Sequence, residues 1–331
     1  MKRFLFFVLL LLVCAVEARP QDQEDVIRTE SDLTNLPFTA TDKEHRFITT
    51  LRADDVRVLE DGVPQTLFTF QRETDRPLAI AFLIDVSASQ EATLPDEKAA
   101  ARLFIENVIK SDRDQVAIIP FTGQAYLEQG MTRDILGAYR VLQQVEVAAP
   151  GYLGSGKPLT GIPTGPGLRA TPNEGSTAIW DSVALTSADV LTKAPGLRRR
   201  AIILLTDGYD TSSRIFSKEA VNAALAAETV VYVIGIGDRK QQGVDRSPLR
   251  EIAERTGGRA FFPDKKFDLN AAFAEIEREL RTQYLIAYSS TNKKRDGTYR
   301  KITIEVTNPE LRDQKLELRH RPGYFAKKGG A

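Results

Sequence analysis

Three short stretches of this chain place oxygen-bearing side chains where the backbone could gather them. Asp85-Val86-Ser87-Ala88-Ser89 follows directly on the apolar run 78–84, and Asp207-Gly208 follows directly on the run 201–206. Gly175-Ser176-Thr177 lies immediately before a segment with helical spacing. Carboxylates, hydroxyls and water suit a hard divalent cation, Mg²⁺ first, with Mn²⁺ and Ca²⁺ as alternatives. Asp85, Ser87, Ser89, Thr177 and Asp207 hold few carboxylates between them, so the ion would keep positive charge and an open position. An acidic side chain from a protein partner could fill it. Taken singly, a serine or aspartate after a strand is most often a turn residue or a helix N-cap. It is the five together, in order and each on the expected element, that point to a site.

What must position them is a long alternation of strands and helices. Apolar runs at 78–84, 115–121, 201–206 and 230–236 predict buried strands, with a short one at 259–262. Helical spacing marks 96–109, 134–145, 178–191, 217–228, 248–256 and 269–280; the last puts Leu269, Ala272, Phe273, Ile276 and Leu280 on one face. The expected fold class is α/β, a doubly wound, mostly parallel sheet with helices on both sides, spanning 77–283. In such sheets ligands bind beyond the carboxyl ends of the strands, where strand order reverses. Asp85 and Asp207 both stand at such ends.

The flanks change pattern. Residues 19–76 are read as a polar linker followed by β structure at 47–51, 56–59 and 66–70, with a turn at Glu60-Asp61-Gly62. From 284 to 331 the pattern is again β, at 285–288, 301–307 and 314–320, with a turn at Asp296-Gly297. These bracketing segments are expected to pack together as one small β module. Between them, 148–175 is a Gly- and Pro-rich stretch without periodicity, long enough to suggest a functional or disordered loop.

The D-x-S-x-S at Asp85–Ser89, the isolated Thr177 and Thr206-Asp207-Gly208 together resemble the metal-ion-dependent adhesion site of von Willebrand factor A domains. The likeness covers 78–281. It implies that Ser87, Ser89 and Thr177 contact the metal directly, with Asp85 and Asp207 acting directly or through water, and that the metal bridges to a partner protein. Asp61-Gly62-Val63-Pro64-Gln65 and Arg321-Pro322-Gly323-Tyr324 look like stretches that recur in a bacterial, exported subgroup in which such a domain sits between β segments. Gln90-Glu91 departs from the pattern, which often has Met after the second serine. The long loop before Thr177 is the other departure.

Lys2 and Arg3 precede an apolar run from 4 to 16, and Val16-Glu17-Ala18 offers small residues for cleavage, so 1–18 reads as a secretory signal. The run is too short for a membrane span. Cleavage after Ala18 would remove the sole cysteine, Cys14, and leave an exported, periplasmic or extracellular protein without disulfides. Lys plus Arg and Asp plus Glu both total 45, so no net charge draws the chain to nucleic acid. The clusters Arg198–Arg200 and Lys293–Arg295 are expected to be solvated turns. Asp210 is read as a surface turn residue, with a supporting place behind the metal ligands as the alternative. Residues 151–158 imitate a phosphate-binding loop but carry Pro158 where the metal-binding hydroxyl belongs. His45 and His320 adjoin no nucleophile motif. A phosphoryl-transfer enzyme would need more carboxylates beside Asp85, and Ser87 stands in that place. The expectation is therefore a binding module and not an enzyme. A structural module with an empty site, and less so a metal-dependent phosphoryl-transfer enzyme, are the alternatives.

Overall fold

The described flanking residues, 33–72 and 284–328, are largely β structure. The computed structural model describes residues 33–72, 76–110, 112–149, 154–162, 176–196, 198–237, 243–263 and 266–328. The signal-like segment 1–18, and residues 150–153 and 163–175 of the Gly/Pro-rich loop, lie outside them. First come β1 (Leu33–Thr41), β2 (Val56–Glu60), β3 (Val63–Gln65) and β4 (Leu67–Arg72). The alternation follows, with β5 (Leu78–Asp85), α1 (Leu94–Val108), β6 (Gln115–Phe121), β7 (Tyr126–Leu127), β8 (Gln129–Thr132), α2 (Ile135–Gln144) and β9 (Lys157–Pro158). It continues through α3 (Ile179–Leu185), β10 (Arg199–Thr206), α4 (Ser217–Ala226), β11 (Thr229–Gly235), α5 (Arg246–Thr256), β12 (Ala260–Phe261) and α6 (Lys266–Thr282). The chain ends with β13 (Tyr284–Ser289), β14 (Tyr299–Val306), α7 (Pro309–Asp313), β15 (Glu317–His320) and β16 (Gly323–Phe325).

The central sheet has the order β12-β11-β10-β5-β6-β8, parallel throughout except for β8 at one edge. All eight residues of β5 are buried, as a strand covered on both faces requires. Its pleat divides them: Ile80, Phe82 and Ile84 pack with α1, α2 and α6, while Ala79, Ala81 and Leu83 pack with α3, α4 and α5. The chain steps from β5 outward to β6 on one side and later to β10 on the other. Strand order therefore reverses between β5 and β10, and Asp85 lies at that reversal.

The flanks pair with each other. One antiparallel sheet has the order β15-β1-β13-β4 and another β16-β14-β2-β3. Between them Leu36, Phe38, Val58, Tyr284, Ile286 and Ile302 form a third core. The Asp61-Gly62 turn joins β2 to β3 with both residues at positive φ, 49° and 82°. Two expectations fail here. Residues 47–51 are no strand; Phe47 makes one bridge to Thr41, and Leu51 instead donates its N–H to the Tyr284 hydroxyl at 3.0 Å. The strand is β1, whose first four residues, 33–36, fell in the stretch read as linker because it is polar and lacks clear periodicity. Pro37 is tolerated because β15 pairs only from Phe38 onward, leaving one neighbour, β13, at that position.

Arg198, Arg199 and Arg200 are not a solvated turn either. They enter β10, buried or half-buried, with guanidinium N–H groups on the carbonyls of Pro195, Leu280 and Ala227. Lys293–Arg295 are exposed as expected.

A buried ion pair within the sheet β16-β14-β2-β3 is also the point at which the other antiparallel sheet is tied on, through Tyr288 of β13. Glu60 and Arg300, both 2% exposed, meet at 3.2 Å. The Glu60 carboxylate also accepts from Tyr288 and Tyr324 at 2.9 Å each and from Ser290. Burial alone would raise its pKa, but these donors hold it below the usual carboxylate value. Breaking such a pair from one side strands a buried charge and costs about 3–5 kcal/mol. In urea unfolding, Glu60→Leu is expected to lose about that much, and Glu60→Leu with Arg300→Met to lose clearly less. An equal or larger loss in the double variant would show that the pair stabilises beyond its own desolvation.

Candidate metal centre

The end of β5 meets the end of β10 in register, with Ile84 opposite Leu205. That pairing carries the Thr206 hydroxyl to Asp85, where it donates to Oδ2 at 2.7 Å; the Ser87 N–H donates to Oδ1 at 3.0 Å. Asp85 is fully buried and its orientation is fixed on both oxygens. Beyond it the chain turns through a short 3₁₀ segment, Ala88–Gln90, which sets the Ser87 and Ser89 hydroxyls 3.0 Å apart. Ser87 is buried, Ser89 half-buried and Ala88 exposed, so this turn reaches the surface.

Asp207 leaves β10 into a turn that only glycine can follow. Gly208 has φ +88°, and a Cβ there would lie 2.6 Å from the Asp245 carbonyl oxygen. The Asp207 carboxylate accepts the Tyr209 N–H at 3.1 Å. Thr177 is drawn in from the other side. Its N–H donates to the Thr211 hydroxyl at 2.8 Å, its carbonyl accepts from Thr211 and Ser212, and Ala178 donates to the Thr122 carbonyl beyond β6. The Thr177 side chain is 6% exposed, and no hydrogen bond engages its hydroxyl among the described residues.

Several residues that hold this arrangement were not singled out for that role by sequence. Asp210 is not a surface turn residue. It accepts the N–H groups of Ile179 and Trp180, at 2.9 and 3.3 Å, and so caps the start of α3 just past Thr177. The Ser213 hydroxyl accepts from Trp180 and Asp181. Asp181, in turn, accepts the N–H groups of Arg214 and Ile215 and pairs with the Arg214 guanidinium at 3.0 Å. The loop after β10 and the start of α3 are thus laced together, which sets Thr177 relative to Asp207. Only the habit of Asp and Ser to cap helices could have hinted at this. Gln90, where the family pattern often has Met, is fully buried and spans from Thr93 to the Ile236 carbonyl.

The electrostatics favour a cation. Burial pushes the Asp85 carboxyl up to about 6, and the negative charge of Asp207 adds to the rise while hydrogen bonds oppose it. Deeper in α1, Glu97 is fully buried and neither carboxylate oxygen finds a partner; the nearby Thr93 hydroxyl donates to Gln90 at 2.9 Å instead. Burial first, then the charges of Asp85 and Asp207, push Glu97 up to about 8. Two carboxylates and three hydroxyls at the surface end of the strands match the donors a hard cation takes. Among the described residues no three His, Cys, Asp or Glu side chains assemble into a metal-holding group, so hydroxyls must supply part of any such shell. Lys157 and Pro158 of the phosphate-loop imitation form β9, paired with β7. His45 sits in an exposed turn and His320 in β15.

Two family models described as von Willebrand factor type A domain match residues 78–135 and 168–276. An uncharacterised protein of Borreliella burgdorferi is 25% identical over 138 residues, 36% of the length of each chain. Among solved structures, a von Willebrand factor type A protein from Catenulispora acidiphila is 13% identical with a TM-score of 0.49, covering 90% of this chain and 74% of that one. The conserved hypothetical protein BatB of Bacteroides thetaiotaomicron is 20% identical with a TM-score of 0.46, covering 61% and 97%. Proximal thread matrix protein 1 of the mussel byssus, solved with a zinc-occupied MIDAS motif, is 18% identical with a TM-score of 0.49, covering 67% and 50%.

Glu97 gives a pH test. Its folded pKa is raised, so its contribution to stability is full below about pH 4 and is lost as pH rises through about 8. In metal-free buffer Glu97→Gln is therefore expected to match the parent at pH 5 and exceed its stability by roughly 2–4 kcal/mol at pH 9. Parallel stability curves for the two proteins across that range would mean that Glu97 has a compensating partner in solution.

Proposed function

Because the chain is a von Willebrand factor type A domain protein, a family known for metal-dependent protein interactions, we propose that the cluster beyond β5 and β10 holds a divalent cation and through it a protein partner. One observation carries this reading: Asp85 is wholly buried, carries an elevated pKa and faces the charge of a second carboxylate, while three hydroxyl-bearing side chains stand around the same strand ends. A cation relieves that repulsion. Ser87, Ser89 and Thr177 would contact it directly, and Asp85 and Asp207 directly or through water. Mg²⁺ is the expected ion, since the donors are oxygens only and two carboxylates leave room for retained waters. The bound ion supplies a positive, unsaturated centre, and an Asp or Glu of the partner completes it.

The domain spans 77–283, framed by β segments from both ends, and the protein is exported to the periplasm or beyond. Its leader-like start supports export. Among the described residues no helix is long and apolar enough to cross a membrane. Binding and not catalysis is the role, because Ser87 occupies the position where phosphoryl transfer would call for another carboxylate.

Calorimetric titration of Mg²⁺ and Mn²⁺ into the protein tests this. Saturable binding is expected, abolished in Asp85→Ala, while that variant keeps a cooperative thermal transition. Loss of folding in Asp85→Ala would make the site structural. No uptake by the parent at millimolar metal would reduce the site to a remnant in a structural module.

A further inference from the structure

At the opposite end of the central sheet from the metal cluster, where β10 and β11 begin, residues of β1 and β13 and the ends of α4 and α6 enclose a cavity of about 50 Å³. A single water needs roughly 10–15 Å³, so there is room for a small polyatomic ion. The lining is cationic. Arg198, Arg199, Arg200 and Arg321 contribute to it, and Glu228 is the carboxylate among the described lining residues. Glu228 is itself engaged by the Asn35 amide at 3.2 Å.

The hydrogen bonds of these arginines go to carbonyl groups. Arg198, 9% exposed, donates to Pro195 and Arg113 at 2.7 and 2.6 Å; Arg200 donates to Ala227 at 3.0 Å; Arg321, 7% exposed, donates to Asn35 at 2.7 Å. The Nε of Arg200 and that of Arg321 are buried without a partner. Capping of helix ends accounts for several N–H groups but not for the charge. The described lining sets Arg76, Arg198, Arg199, Arg200 and Arg321 against Glu228, with the Asp114 carboxylate also acting on Arg198 and helix C-termini adding partial negative charge. Guanidiniums thus outnumber carboxylates in the described lining, in a place where buried ions are expected to be paired. Burial accordingly draws the Arg198 and Arg321 guanidiniums below their usual value.

We propose that this cavity binds a small oxyanion, a phosphate or a carboxylate, held by Arg198, Arg200 and Arg321. Planar guanidinium forks suit the oxygens of either group. Arg200 is the second residue of β10, whereas Arg321 follows β15, so a bound anion would fasten the parallel sheet to the antiparallel one. This site is independent of the metal centre.

The test uses the whole protein, free of divalent metal, titrated at constant ionic strength with inorganic phosphate and separately with acetate against chloride. Saturable shifts of the arginine Nε–Hε resonances, together with a rise in melting temperature, are expected for at least one of the two anions. A response to phosphate alone identifies a phosphate site, and a response to acetate identifies a carboxylate site. Arg200→Gln and Arg321→Gln should each weaken binding at least about tenfold, and Asp85→Ala should leave it unchanged. No saturable response in the parent protein, whose resonances report even if a variant fails to fold, would overturn the proposal. So would undiminished binding in both arginine variants, or an equal response to chloride.

Discussion

The hydrogen bond from Thr206 to Asp85 is the point on which the functional end of the molecule turns. It exists because β5 and β10 pair in parallel, with Leu205 beside Ile84, so that the last residues of both strands share one cleft. A buried carboxylate opposes folding by a few kcal/mol. The same strand offers Leu78, Ile80, Phe82, Leu83 and Ile84, all buried, each worth about 1.5–3 kcal/mol. Hydrophobic burial therefore outweighs the charge several times over. The sheet can hold Asp85 in a position that a cation, but not the apolar core, would favour.

Bringing a hydroxyl from a distant segment to that cleft is a separate problem. Thr177 stands on no sheet strand, and its position depends on how α3 begins. Asp210 and Ser213 fill the hydrogen-bonding needs of the first turn of α3, and Asp181 reaches back to hold Arg214 and Ile215. Each end of the contact thus caps the other. Helix N-terminal N–H groups lack intrahelical partners, so a loop that satisfies them is held firmly. The loop it holds is the one that carries Asp207.

The antiparallel sheets close the chain on itself. β1 lies between β13 and β15, and β2 pairs β14, so residues more than 240 positions apart become neighbours. Such distant pairing is slow to form. The buried Glu60–Arg300 pair and its tyrosine donors define the register, because a one-residue slip would turn these polar groups out of their network. Arg321, next to this module, also lines the cavity beneath the parallel sheet.

How much of this could be read along the chain depends on how local the signal was. Unbroken apolar runs and helical spacing specified the parallel sheet and its six main helices, because burial on two faces leaves no other pattern. Asp85, Ser87, Ser89, Thr177 and Asp207 were legible as candidate donors from their places at element ends. The roles of Asp210, Ser213 and Asp181 were not, since a cap is recognised only when the helix it serves is known. The start of β1 was missed because it continues a polar stretch without periodicity, and Pro37 is harmless only given where β15 begins. Arg198–Arg200 looked like a solvated turn for the same reason: composition records a charge, but not which carbonyls and which cavity await it. Residue type and periodicity thus determined the layers and marked out the candidate donor set. The tertiary structure alone decided which buried charges were left uncompensated, because that balance is summed over segments that meet only in the folded chain.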